Sequence, residues 1–128
     1  MTFKSDLSVT FHDNETAELS WDLVYVHPTL GQIIVKAGFI TDFASVPGYV
    51  LLPGIVPKVG RIRKAAVIHD WIYRGQEGGR FTRQQADQIL YDAAVDCGMP
   101  HWRATVAWIG VRVGGWIPWS KARKVLTV

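Results

Sequence analysis

Apolar and polar positions alternate through the first forty residues, and beyond residue 60 the apolar spacing lengthens to three and four. LSVTF (7–11) alternates and runs into the turn-forming His12, Asp13 and Asn14. LSWDLVYVH (19–27) is aromatic and β-branched, PTLG (28–31) supplies a turn, and QIIVKAGF (32–39) reads as an antiparallel partner. The expectation is a small antiparallel meander or hairpin sheet. Such a sheet is too small to stand alone and needs a covering layer.

The second half supplies that layer. A helix is predicted from about Arg61 to Arg74, with Ile62, Ala66, His69 and Tyr73 in line on one face. The glycines of GQEGGR (75–80) end it. Thr82 with Gln85 three positions later is a capping-box pattern. It opens a second helix whose apolar stripe is Ala86, Ile89, Leu90, Ala93 and Ala94, stopping near Cys97 and Gly98. A third helix, about His101 to Val113, is nearly apolar all round and is expected to be heavily buried. Residues 114–128 read as a C-terminal tail. Between the halves, residues 41–60 carry Pro47, Pro53 and Pro57 with Gly48, Gly54 and Gly60, a long loop expected to be a packed crossing. The fold class is therefore α+β, a single domain over 1–128: strands in 1–40, the loop at 41–60, helices in 61–113.

Composition narrows the function classes. Of 128 residues, 48% are apolar and 20% charged, which suits one domain with a real core and not a disordered chain. Six tryptophans, at 21, 71, 102, 108, 116 and 119, are many for this length. Core packing is one reading; the other is a contact surface, for which Trp71, Trp116 and Trp119 are the candidates. The net charge of +3 gathers in KVGRIRK (58–64) and KARK (121–124), open to a weak attraction for anionic lipid, nucleic acid or an acidic protein face, and explained as well by solvated termini with no ligand. No zinc finger or recognition-helix signature supports specific nucleic-acid binding. Cys97 stands alone, so no internal disulfide or cysteine-based metal knot is expected. Residues 1–20 lack the basic start and apolar run of a secretory signal.

One stretch demands chemistry. AAVIHDWIYR (65–74) places His69 and Asp70 side by side in an apolar helix, where two consecutive ionisable groups need partners. The short glycine-rich turn that follows brings Asp87, early in the next helix, across from His69. Asp87 would accept from one ring nitrogen and leave the other free, the relation used by histidine general bases. Asp70 would then face outward towards a cation, with loop carbonyls filling the shell. An all-oxygen shell favours calcium; ligation by His69 itself would favour zinc, manganese or iron. Asp42 in TDFASVP (41–47) could add a carboxylate to that ion or form an Asx turn, while Ser45 lacks a nucleophile elbow. Tyr73 would bond a carboxylate through its hydroxyl. The same residues also make a buried structural clamp without any chemistry, because an unmade buried bond costs about 1–3 kcal/mol.

Together, GF-TDFASVP (38–47), AAVIHDWIYR (65–74), TRQQAD (82–87) and the late aromatic segment resemble a small family of tailed-phage and prophage proteins. That family carries the domain-of-unknown-function number 1353. The resemblance implies a virion-associated structural or tail-assembly protein, made in the bacterial host cytoplasm and carried in the virion among other phage structural proteins. The helical pair alone also looks like the core of secreted and parvoviral phospholipases A2. Carried over by position, His69 would activate water, Asp70 would hold calcium, Asp87 would orient His69, and Tyr73 would support that carboxylate. This second likeness implies a metal-dependent hydrolase acting on a phospholipid or other cell-envelope ester. It covers only about twenty residues. A glycine-rich calcium loop is not recognisable upstream, where VPKVGR (56–61) stands.

Overall fold

A computed structural model describes residues 2–12, 16–41 and 62–127. Within them the order is β1 (Thr2–Phe3), β2 (Val9–Phe11), β3 (Ala17–Leu19), β4 (Leu23–His27), β5 (Gly31–Val35) and β6 (Ile40–Thr41). The helices follow as α1 (Ile62–Tyr73), α2 (Arg83–Asp96), α3 (His101–Gly114) and α4 (Trp116–Thr127). The class is α+β, with antiparallel strands first and helices after.

The strands form two three-stranded sheets, ordered β1-β4-β5 and β2-β3-β6. The expected long strand over 19–27 is broken in two. Between β3 and β4, Trp21 Nε1 donates to the Asp6 carbonyl at 2.8 Å and Asp22 Oδ1 accepts from the Ala37 amide at 2.8 Å. These bonds take the backbone out of one sheet and deliver it to the other. The β4–β5 hairpin pairs Leu23 with Val35 and Tyr25 with Ile33, and all four side chains are buried. The period-2 alternation thus gives this sheet one face against the helices.

That face meets α1, which is buried almost all round from Ala65 to Asp70 and again at Ile72 and Tyr73. A helix enclosed on every side must be apolar on every side unless its polar groups are paired. This is the physical setting of the His69-Asp70 pair. On the predicted line, Ala66, His69 and Tyr73 are all buried. The capping box of α2 is present in both directions: Thr82 accepts from the Gln85 amide at 3.1 Å, and the Gln85 side chain accepts from the Thr82 amide at 2.9 Å.

Two expectations about the C-terminal third are corrected. The α3 helix is not heavily buried: among its residues only Ala104, Ala107 and Val111 are, while Trp102, Ile109 and Val113 are at least half exposed. Small residues make the packed face, so the bulky ones are left outside. Residues 116–127, expected as a tail, form α4. Pro118 lies in its first turn, where backbone N–H groups have no helical acceptor and proline costs little.

Candidate functional site

Asp87 is the hub. It lies on α2, one turn after Arg83, with its side chain fully buried. Its Oδ1 is 2.8 Å from His69 Nε2 and 2.5 Å from the Tyr73 hydroxyl, which donates to it. Its Oδ2 accepts from Arg112 Nη1 at 2.9 Å, with Arg83 Nη1 at 3.7 Å. Arg83 also donates to the Val111 and Arg112 carbonyls, at 3.0 and 3.2 Å, which satisfies the end of α3 and ties it to α2.

These contacts set the charge states. Burial pushes the Asp87 carboxyl up, but the hydrogen bond and charge of His69, then the bonds from Tyr73 and Arg112, outweigh it. The group is held below the ordinary carboxylate range. Burial and the neighbouring Asp87 push the Tyr73 hydroxyl up, so it remains a protonated donor. An ionised carboxylate only accepts. The His69 proton shared with it therefore sits on Nε2, and whenever the ring carries a single proton the lone pair is on Nδ1. That second nitrogen is buried and has no hydrogen-bond partner among the described residues. The ring is held by Tyr73, whose centroid lies 4.0 Å away, and Tyr73 in turn meets Trp119 edge-on at 5.2 Å.

His69, Asp87 and Tyr73 therefore converge as the sequence suggested. Asp70 does not face outward. It is 1% exposed, and its Oδ1 accepts from Arg74 Nε at 3.1 Å, while Arg74 Nη1 reaches the Ile40 carbonyl at 3.2 Å. Asp42 and Ser45 lie outside the described residues. The resemblance to phospholipases implies calcium at Asp70, but a guanidinium on its oxygen competes with a cation for the same lone pairs. No group of three histidine, cysteine, aspartate or glutamate side chains among the described residues could hold a metal ion. The described residues alone do not make up a shell for calcium, zinc or manganese.

Of the tryptophans expected at an interface, Trp71 packs edge-on against Phe39 at 5.1 Å and Trp119 against Tyr73, whereas Trp116 is 58% exposed. Arg112 and Arg83 were not anticipated. Arg83 had a local signal, its four-residue spacing from Asp87 on one helix; Arg112 had none. A second polar tie was also missed. His27 Nδ1 accepts from the Thr29 and Leu30 amides at 3.2 and 3.1 Å, so Nε2 donates to Asp92 Oδ2 at 2.6 Å. Every nitrogen of that ring is used, and it locks the β4–β5 turn to α2. Cys97 is half-buried, and burial, opposed by the nearby Lys64 and joined by Asp96, pushes its thiol up to about 11. An open cleft of about 270 Å³ between α2 and α3 is lined by Gln88, Tyr91, Thr105 and Trp108 and contains none of the His69 centre.

No curated protein and no solved structure matches the chain. The model of one family does, over residues 17–111, a span that runs from β3 through α1 and α2 to the Val111 end of the packed face of α3. The chain belongs to that family, described as protein of unknown function (DUF1353).

Proposed function

We propose that the chain is a hydrolase of a phospholipid or related cell-envelope ester, with His69 as general base. The observation that carries this reading is the contrast between the two nitrogens of His69. Nε2 is fixed on an ionised carboxylate, and Nδ1 is buried with no partner among the described residues. In a purely structural network a buried acceptor left over costs about 1–3 kcal/mol. His27 is the internal contrast, with every ring nitrogen bonded.

In this reading, Nδ1 takes a proton from water as its oxygen adds to the ester carbonyl. The imidazolium is stabilised by Asp87, which keeps its own charge because Tyr73 and Arg112 remain on it. The proton then passes to the departing alkoxide, giving a carboxylic acid and an alcohol. His69 is fully buried in this conformation, so turnover requires an opening above Nδ1.

The experiment is fatty-acid release from phosphatidylglycerol and phosphatidylethanolamine vesicles by wild type and His69→Gln, both shown folded by circular dichroism. Release is expected from wild type and a fall of roughly 10²–10⁴-fold in the variant. Equal rates in the two proteins, or none from folded wild type, would remove the phospholipid-hydrolase reading.

The second reading is a virion-associated structural or tail-assembly protein, in which the same residues clamp α1 to α2 without turnover. The complete burial of His69, Asp70 and Asp87 favours it. Under that reading His69→Gln lowers stability and has no rate to change.

A further inference from the structure

A helix on a protein surface normally turns its charged residues outward and its apolar ones inward. The outward side of α3 is reversed. Trp102, Thr105, Ile109 and Val113 follow one another at i, i+3, i+7 and i+11, and all four are exposed, Trp102 by 56%, Ile109 by 50% and Val113 by 72%. The apolar run continues past Gly115 into the first turn of α4, where Trp116 and Ile117 are 58% and 46% exposed. Scattered surface apolar residues need no explanation, but a contiguous row does.

The charge of this region is equally one-sided. From Cys97 to the end of the sequence there is no aspartate or glutamate, while Arg103, Arg112, Lys121, Arg123 and Lys124 are all present. Arg112 is engaged by Asp87. Arg103 lies over the Trp102 ring at 5.1 Å, and Lys121 is exposed. No helix among the described residues is long and apolar enough to cross a membrane.

We propose that the outward side of α3, with the first turn of α4, docks in the plane of an anionic lipid surface. Tryptophan, isoleucine and valine would enter the headgroup boundary, and Arg103 and Lys121 would meet lipid phosphates. The indole rings suit a boundary that is apolar below and wet above. A second copy of the chain is the poorer occupant. A two-fold contact would set Arg103 and Lys121 of one copy near those of the other, with no acidic residue in either segment to offset them, whereas an anionic bilayer complements them. These residues are not those of the His69 centre, so docking is read without turnover.

The test is flotation of the full chain with phosphatidylcholine vesicles, with and without phosphatidylglycerol, at low and high salt. The variants are Ile109→Glu and Val113→Glu, both at positions at least half exposed, checked for folding by circular dichroism. Binding is expected to require phosphatidylglycerol, to weaken with salt, and to fall by roughly tenfold or more in each variant. His69→Gln is expected to bind as wild type does, which separates docking from hydrolysis. Absence of phosphatidylglycerol-dependent binding overturns the proposal, as does binding that both glutamate variants retain. So does a sedimentation-detected dimer that those variants dissolve, which would make the surface a contact between copies.

Discussion

Asp87 Oδ1 stands 2.8 Å from His69 Nε2 with both side chains fully buried, and the same carboxylate is held by Tyr73 and Arg112. One acidic residue therefore joins α1, α2 and α3. Its charge is compensated by donors from α1 and α3, with the Arg83 guanidinium of α2 3.7 Å away.

Removing that charge should be costly. Asp87→Asn would leave Arg112 and Tyr73 facing an amide, and a loss of about 3–5 kcal/mol is expected in urea unfolding. Tyr73→Phe removes one donor and keeps the ring contacts, so about 1–2 kcal/mol is expected. Equal small losses in both variants would contradict the hub assignment.

The pH dependence has a definite sign. The folded-state value of Asp87 is depressed below the unfolded one, so its contribution is fully present above the unfolded carboxylate value of about 3.9. It is lost as pH falls through the depressed folded value. Urea midpoints followed from pH 7 into the acid range should drop on that side, and more shallowly in Asp87→Asn. A steeper drop in the variant would contradict the assignment.

Gly115 allows α4 to approach this network. A Cβ there would stand 2.6 Å from the Tyr73 hydroxyl and would also meet the Val111 carbonyl. Gly115→Ala is expected to destabilise by about 1–3 kcal/mol. In a Tyr73→Phe background part of that clash is gone, so the loss should shrink by at least about 0.5 kcal/mol. Strict additivity in thermal unfolding would show that Gly115 does not act through Tyr73.

Arg74 holds Asp70 Oδ1, so Asp70 is not expected to anchor calcium. Calorimetric titration with calcium chloride to about 1 mM, the range of weak extracellular sites, should show no binding that Asp70→Asn abolishes. Saturable binding lost in that variant would restore the cation to the site.

The His69–Asp87 contact was legible because local signals fixed both ends. The Thr82-Gln85 box set the start of α2, and glycines 75, 78 and 79 kept the connection short, which placed Asp87 opposite the middle of α1. Arg112 was not legible, since its contact depends on how α3 folds back and no spacing records that. The exposure of α3 was hidden for a related reason. A helix apolar all round does not announce which side packs, and here Ala104 and Ala107 permit close approach while Ile109 and Val113 do not. The α4 helix was not expected: Gly114, Gly115 and Pro118 are poor helix formers, although proline is tolerated in a first turn. The break at Trp21 and Asp22 is written in side-chain bonds to distant backbone, beyond the reach of alternation.

The most direct test is the protonation pattern of the His69 ring, read by long-range ¹H–¹⁵N correlation at pH 8 and assigned through loss of its signals in His69→Gln. The account predicts a proton on Nε2 and a bare, acceptor-type Nδ1. A proton on Nδ1 would contradict it, because the ring would then have no lone pair where water must be activated.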